Sequence, residues 1–199
     1  MTVTAQFQDR YEAGRFLATK LSHHANDPAL LVLALPRGGV PAAYEIAKAL
    51  HAPLDVFLVR KLGAPSCEEL ERRERIYRGE RPPAAIEGRT VILVDDGLAT
   101  GASMRAAVEA VREQRPKSVI VAVPIGSADT CGQLSHEADE VVCGMTPDPF
   151  YAVGAWYSDF LQITDEEVRQ LLNHAAHERR VRQALAQMDR ASRQADSLA

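Results

Sequence analysis

Short runs of apolar residues that alternate with amphipathic segments are the feature that most restricts the fold of this chain. Such runs occupy residues 30–35, 54–59, 90–94, 118–123 and 140–143. A strand that is apolar at every position is buried on both faces, which is typical of a parallel sheet with helices on each side. The sequence therefore predicts an α/β fold: a three-layer, doubly wound and mostly parallel sheet of five strands.

Segments with helical periodicity separate these predicted strands. They comprise residues 8–22, 40–50, 67–80, 102–114 and 128–136. A sixth segment begins with Thr164 and Glu167 in a capping-box pattern and predicts one or two helices from residue 165 to about residue 190. We therefore divide the chain into a domain at residues 1–164 and a C-terminal helical extension at residues 165–199, which packs on a second subunit or frays.

The composition argues against several classes of function. The chain has 199 residues, a net charge of −4 and 46% apolar residues, which fits one soluble domain of ordinary size. A negative net charge argues against general nucleic-acid binding, and no apolar run approaches the roughly 20 residues of a membrane helix. Three cysteines without a CxxC pair, behind a first segment without signal-peptide character, predict a cytoplasmic protein with reduced thiols.

The segment VILVDDGLATGAS, residues 91–103, combines a loop suited to anions with two adjacent carboxylates. A loop that enters a helix offers unpaired backbone N–H groups to an anion, and glycines allow a close approach. No lysine follows the second glycine, so this is not a Walker loop. Asp95 and Asp96 would repel a phosphate placed directly on them. They fit a ligand with hydroxyls or a metal ion near its phosphate, and ribose 5-phosphate has this layout.

A second loop, LPRGGVP at residues 35–41, follows the first predicted strand. Gly38 and Gly39 expose backbone amides, and Arg37 adds a fixed positive charge. Arg60 and Lys61 follow the second predicted strand. Ligands of doubly wound sheets bind at the carboxyl ends of the strands. These groups therefore indicate a second and more highly charged part of the ligand, such as a pyrophosphate.

The string VILVDDGLATGAS resembles the signature of the type I phosphoribosyltransferases, and LALPRGGVPAAYEIAKAL resembles their pyrophosphate loop and following helix. Weaker similarity is found in LVRKLGAP, ERIYRG and FYAVGAWYSDF, so that the resemblance spans residues 5–172. The chain is similar to a subgroup of stand-alone bacterial phosphoribosyltransferase-domain proteins. The resemblance implies transfer of the phosphoribosyl group of phosphoribosyl pyrophosphate to a small-molecule acceptor, with Mg²⁺ as cofactor and pyrophosphate as the leaving group.

The resemblance also implies roles for individual residues. Asp95 and Asp96 would hold the ribose hydroxyls and, directly or through water, the metal ion. Arg37 would contact pyrophosphate, with Lys61 beside it, so that these four residues form the predicted catalytic set. The other predicted substrate-binding residues are Gly38, Gly39, Arg60, Gly97, Leu98, Ala99, Thr100, Gly101, Ala102, Ser103 and Tyr151.

The acceptor side of the site departs from the purine-using members of the family. Tyr151 or Phe150 resembles their base-stacking aromatic residue, with Trp156 as a second candidate, although packing in the core or against a second subunit is the better explanation of these aromatic residues. The lysine that those members carry on the fourth strand is absent from SVIVAVPIGS. The resemblance therefore leaves the acceptor unidentified, with a nucleobase as one candidate, and does not predict a purine.

The interval between the second and third predicted strands is short for this subgroup. Family members carry a mobile lid there, but residues 62–88 number only 27 and are predicted to form one charged helix and a Pro-rich linker. A neighbouring subunit or the C-terminal helix covers the site, the lid is minimal, or the protein binds without efficient chemistry.

Two functions follow from these observations. The first is a homodimeric phosphoribosyltransferase of nucleotide metabolism. The alternative is a non-catalytic regulatory protein that binds phosphoribosyl pyrophosphate or a nucleotide. A phosphatase or kinase-like use of the acidic pair finds no support in the loop that follows it.

Overall fold

The parallel sheet has five strands, in the spatial order β2-β1-β3-β4-β5. This computed structural model describes residues 7–59 and 67–196, without the side chains of residues 67–71 and 190–196. Every neighbouring pair of strands in the sheet is parallel, as the apolar runs predict. The strands are β1 (Leu30–Ala34), β2 (Leu54–Val56), β3 (Thr90–Val94), β4 (Ser118–Ile125) and β5 (Glu140–Met145).

Six α-helices surround the sheet in the described part of the chain, and their positions confirm the predicted helical segments. They are α1 (Arg10–Lys20), α2 (Gly39–Leu50), α3 (Cys67–Arg78), α4 (Ala102–Arg112), α5 (Ala128–Leu134) and α6 (Asp165–Asp196). Two short 3-10 turns lie at Ser22–His24 and Val153–Trp156. The second strand is shorter than predicted, since it lies at the edge of the sheet and pairs only with β1. The C-terminal segment forms one continuous helix.

The alternation of side chains along the strands divides the interior into two apolar cores. Leu30, Val32 and Ile92 face the first core, which is shared with α1, α2 and the first turns of α6. Leu31 and Leu93 face the opposite way into the second core, which α4 and α5 cover. The sheet is therefore the middle of three layers, which confirms the predicted α/β architecture.

Helix α6 is buried at its start and exposed further on. Val168 and Leu172 are part of the first core, whereas Val181, Leu185 and Met188 are exposed. The first turns of α6 therefore share the core of the preceding residues. The division of the chain at residue 165 stays a prediction, as does the homodimer. Within the described residues, no helix is both long and apolar enough to cross a membrane.

The register of the two central strands brings the predicted ligand loops together. Ala34 of β1 lies opposite Val94 of β3, and the Leu35 amide donates a hydrogen bond to the Val94 carbonyl (2.8 Å). The loops that follow β1 and β3 therefore leave the sheet side by side at its carboxyl edge.

Candidate active site

The two adjacent carboxylates lie directly after β3, at the carboxyl edge of the sheet. Both side chains belong to partly buried residues, and the Asp96 amide donates a hydrogen bond to Asp95 Oδ1 (2.9 Å). The Asp96 carboxylate lies so close to the loop after β1 that a Cβ atom placed on Gly38 would overlap it. A side chain on Gly39 would collide with the backbone of β3 at Val94. Both glycines are thus required by the close approach of the two loops.

The loop after the carboxylates has the backbone of an anion site. Among the described residues, the amides of Ala99, Thr100 and Gly101 donate to no protein acceptor, and Gly101 has a positive φ of 72°. The Leu98 amide is engaged, since it donates to the Ile125 carbonyl (2.8 Å), so Leu98 cannot offer the backbone donor that was predicted. The loop and Asp95 line a cavity of about 160 Å³. A larger cavity, of about 350 Å³, lies elsewhere and is lined by none of these residues.

The start of α5 supports this loop from behind, a role that the sequence analysis missed. The Thr130 hydroxyl donates to the Ala99 carbonyl (2.9 Å), and the Ser127 amide donates to the Leu98 carbonyl (3.2 Å). Ser127 also caps α5, accepting a hydrogen bond from the Thr130 amide. These bonds hold the carbonyls of the loop away from the cavity, which leaves its amides available to a ligand.

Arg37 lies at the border between the loop after β1 and the C-terminal helix. Its guanidinium is 3.8 Å from the carboxylate of Asp165, at the start of α6. The same carboxylate accepts a hydrogen bond from the Tyr77 hydroxyl of α3 (2.6 Å). Burial, followed by this hydrogen bond, raises the pKa of Tyr77 above its ordinary value. Arg37 is thus linked to α6 through Asp165, and Asp165 in turn is bound to α3 through Tyr77.

Arg10 is the most informative residue that the sequence analysis missed. It is only 7% exposed, and its Nε atom donates to Asp96 Oδ2 (2.8 Å). Its Nη1 atom donates to the Leu161 carbonyl (2.9 Å), and its guanidinium carbon lies 3.8 Å from the centroid of the Phe160 ring. A signal existed, because Arg10 shares the buried face of α1 with Ala13, Gly14 and Leu17.

Tyr157 holds the backbone on the other side of the same carboxylate. Its hydroxyl donates to the Asp96 carbonyl (2.6 Å), and its ring stacks on Phe160 with centroids 5.0 Å apart. Burial and the negative charge of Asp96 raise the pKa of the Tyr157 hydroxyl, so it stays a hydrogen-bond donor at neutral pH. Tyr157 and Arg10 together fix both the backbone and the side chain of Asp96.

Comparison with known proteins assigns the family. Residues 4–154 match the family model of the phosphoribosyl transferase domain, which is more than half of the chain. The chain belongs to the phosphoribosyltransferase family. A Mycobacterium tuberculosis protein named as a phosphoribosyl transferase is 39% identical over 208 aligned residues, covering 85% of this chain and 47% of the relative. The chain thus spans about half the length of that curated relative.

Solved structures agree with the family at the level of the fold. The crystal structure of TT1426 from Thermus thermophilus is 41% identical, with a TM-score of 0.75, and the match covers 84% of this chain and 97% of that one. A glutamine phosphoribosylpyrophosphate amidotransferase of B. subtilis is 20% identical, with a TM-score of 0.50, over 69% of this chain and 35% of that one. The latter likeness concerns the fold alone. The five-stranded sheet is therefore that of the type I phosphoribosyltransferases.

The predicted site residues outside these loops fall into two groups. Arg60 and Lys61 lie outside the described residues. On the acceptor side, Tyr151 is 69% exposed, whereas Trp156 is partly buried against the small apolar cluster that includes Phe7 and Tyr157. Tyr151 therefore presents an aromatic face to solvent, while Trp156 serves in packing.

Replacing Arg10 tests the support of the carboxylate pair. We expect Arg10→Gln to lower the free energy of unfolding by about 3–5 kcal/mol, because it leaves the largely buried Asp96 carboxylate without its partner. Arg15→Gln is the matched control on the same helix, since Arg15 is exposed and pairs weakly with Glu45 at 3.5 Å. It should cost at most about 1 kcal/mol. Urea unfolding followed by circular dichroism measures both, and equal losses in the two variants would contradict the role given to Arg10.

Proposed function

We propose that this protein is a phosphoribosyltransferase that transfers the 5-phosphoribosyl group of phosphoribosyl pyrophosphate to a nitrogen of a nucleobase-type acceptor. One observation carries the proposal. An amide-lined loop, two carboxylates and a glycine-rich loop with Arg37 follow one another along a single edge of the sheet. The phosphate, the ribose diol and the pyrophosphate of phosphoribosyl pyrophosphate occur in the same order.

Each group of the substrate then has a protein partner of matching chemistry. The amides of Ala99, Thr100 and Gly101 bind the 5-phosphate, aided by the positive end of α4. The carboxylates of Asp95 and Asp96 accept hydrogen bonds from the two ribose hydroxyls. Arg37 and the amides of its loop bind the pyrophosphate.

In the proposed reaction, the bond between ribose C1 and the pyrophosphate oxygen breaks, and pyrophosphate leaves with the bonding electrons. A new bond forms between C1 and the acceptor nitrogen, which releases its proton to water. Positive charge develops on the ribose as pyrophosphate departs, and the carboxylates of Asp95 and Asp96 stabilise it electrostatically. The contribution of the protein is therefore to position the reactants and to provide a fixed field.

Mg²⁺ is the cofactor that we propose for this reaction. Mg²⁺ prefers hard oxygen ligands, and the carboxylate of Asp95 provides them at the centre of the site. Asp96 is a second carboxylate beside it, although its Oδ2 atom is paired with Arg10 at 2.8 Å. When bound, Mg²⁺ would neutralise negative charge on the leaving pyrophosphate.

A pyrophosphate-release assay with phosphoribosyl pyrophosphate, Mg²⁺ and a panel of nucleobases tests this function. We expect turnover with at least one base, and a loss of about 100-fold in kcat/KM in Asp95→Asn and Asp96→Asn, because each removes a charge that stabilises the transition state. Asp189→Asn, an exposed position on α6, is the matched control and should keep full activity.

The binding step is measured separately by calorimetry with phosphoribosyl pyrophosphate alone. Unchanged affinity in both Asp95→Asn and Asp96→Asn would contradict the assignment of the ribose to this pair. Tight binding in the natural chain without turnover of any base would contradict catalysis and leave the binding role.

A non-catalytic regulatory binder of phosphoribosyl pyrophosphate or a nucleotide is the second candidate. The ion pair of Arg37 with Asp165 supports it, because the residue that we assign to pyrophosphate already has an anionic neighbour at 3.8 Å. The short interval at residues 62–88 supports it as well. In this role the Asp165 carboxylate, at the start of α6, competes with the ligand for Arg37. Ligand binding would then release Arg37 from Asp165, and α6 would respond to that release.

Asp165→Asn tests that competition. We expect it to tighten phosphoribosyl pyrophosphate binding by roughly two- to fivefold, the range of one partly exposed ion pair, while an amide oxygen still accepts the Tyr77 hydrogen bond. Glu166→Gln is the matched control, since Glu166 pairs with Arg169 on the exposed face of α6. Unchanged or weaker binding in Asp165→Asn, measured by calorimetry, would contradict a competing role for Asp165.

A further inference from the structure

A cluster of metal-binding side chains lies away from the candidate active site. His23 and His24 occupy the 3-10 turn Ser22–His24 that follows α1, and Glu140 begins the edge strand β5. The Nε2 atom of His24 is 3.0 Å from Glu140 Oε2, and that of His23 is 3.5 Å from Glu140 Oε1. The two imidazole rings have centroids 4.0 Å apart, so three potential ligands converge on one point.

The spacing of these atoms matches the requirements of a tetrahedral zinc ion. Bonds of about 2.0–2.1 Å to zinc place neighbouring ligand atoms roughly 3.3 Å apart at the tetrahedral angle. The Nε2 atom of His24 is 3.0 Å from one oxygen of the Glu140 carboxylate, and that of His23 is 3.5 Å from the other oxygen. These two distances lie on either side of that value. One ligand atom from each of the three side chains lies within 4.8 Å of the others. Side-chain rotations that bring these atoms to about 3.3 Å from one another would close the arrangement around an ion.

We propose that His23, His24 and Glu140 form a zinc site, with a water molecule as the fourth ligand. Two imidazoles and one carboxylate are a donor set that zinc uses in proteins when one position stays open. Mg²⁺ is a poor fit, because it prefers oxygen ligands in octahedral geometry. Within the described parts of the chain, no other trio of histidine, cysteine or acidic side chains converges in this way.

The cluster is exposed enough for an ion to enter, yet one of its histidines is largely buried. The His24 side chain is only 19% exposed, while that of His23 is 56% exposed. His24 and Glu140 are 116 residues apart in sequence, so an ion here would tie the end of α1 to the edge of the sheet. Glu140 lies at the amino end of β5, whereas the carboxylate pair lies at the carboxyl edge. The zinc site therefore stands independently of the proposed reaction.

Zinc titration of the full chain, first stripped with a chelator, tests the proposal. We expect calorimetry to give one zinc ion per chain and the Tm to rise by about 5–10 °C at 100-fold excess over the Kd, since zinc binds the folded state. His24→Ala and Glu140→Gln should each weaken zinc binding by at least about 10- to 100-fold, the loss seen even for outer partners of metal ligands. Co²⁺, used as a spectroscopic probe, should give its visible absorption in the natural chain and lose it in both variants.

The double variant His174→Ala/His177→Ala is the matched control, because these two exposed histidines lie three residues apart on α6. It should bind zinc as the natural chain does. Glu140→Gln keeps the size of the side chain, so it provides the test if His24→Ala does not fold. The absence of stoichiometric zinc binding, its persistence in His24→Ala and Glu140→Gln, or its loss in the α6 control would each overturn the proposal.

Discussion

The candidate site depends on the parallel pairing of β1 with β3. This register places Ala34 opposite Val94, and the hydrogen bond from the Leu35 amide to the Val94 carbonyl continues it by one residue. A shift of one residue would turn every side chain of a strand to the other face. Both strands are buried at every position, so a shift would disrupt the close packing of both cores, and the two loops that follow meet where this register places them. Gly38 exists at that meeting point because the Asp96 carboxylate leaves no room for a side chain.

The electrostatics of the site follow from what surrounds each carboxylate. Asp96 is held by Arg10 (2.8 Å) and, through its carbonyl, by Tyr157 (2.6 Å). A guanidinium that is nearly buried can stabilise an adjacent carboxylate because little water screens the pair. The positive charge of Arg10 thus partly balances the negative charge of Asp96, so that two aspartates and the amide-lined loop after β3 can lie at one edge of the sheet.

Most of the fold and part of the site could be predicted from the sequence. The buried strands are visible because parallel strands covered on both faces are apolar at every position, and the loop after β3 is visible because its glycines and carboxylates are adjacent in sequence. Arg10, Thr130 and Asp165 could not be identified in the same way. Each acts on a residue at least 31 positions away, and no local pattern records such a contact. The sequence also leaves open whether the C-terminal segment forms one helix or two, since its apolar stripe narrows where α6 leaves the core.

A crystal structure of the protein with phosphoribosyl pyrophosphate and Mg²⁺ bound would show directly which group of the ligand each loop holds. We expect the 5-phosphate within about 2.7–3.2 Å of the amides of Thr100 and Gly101. We also expect the ribose hydroxyls on Asp95 and Asp96, and the pyrophosphate beside Arg37. A ligand whose phosphate lies outside the loop after β3, or whose ribose makes no contact with either aspartate, would contradict this placement.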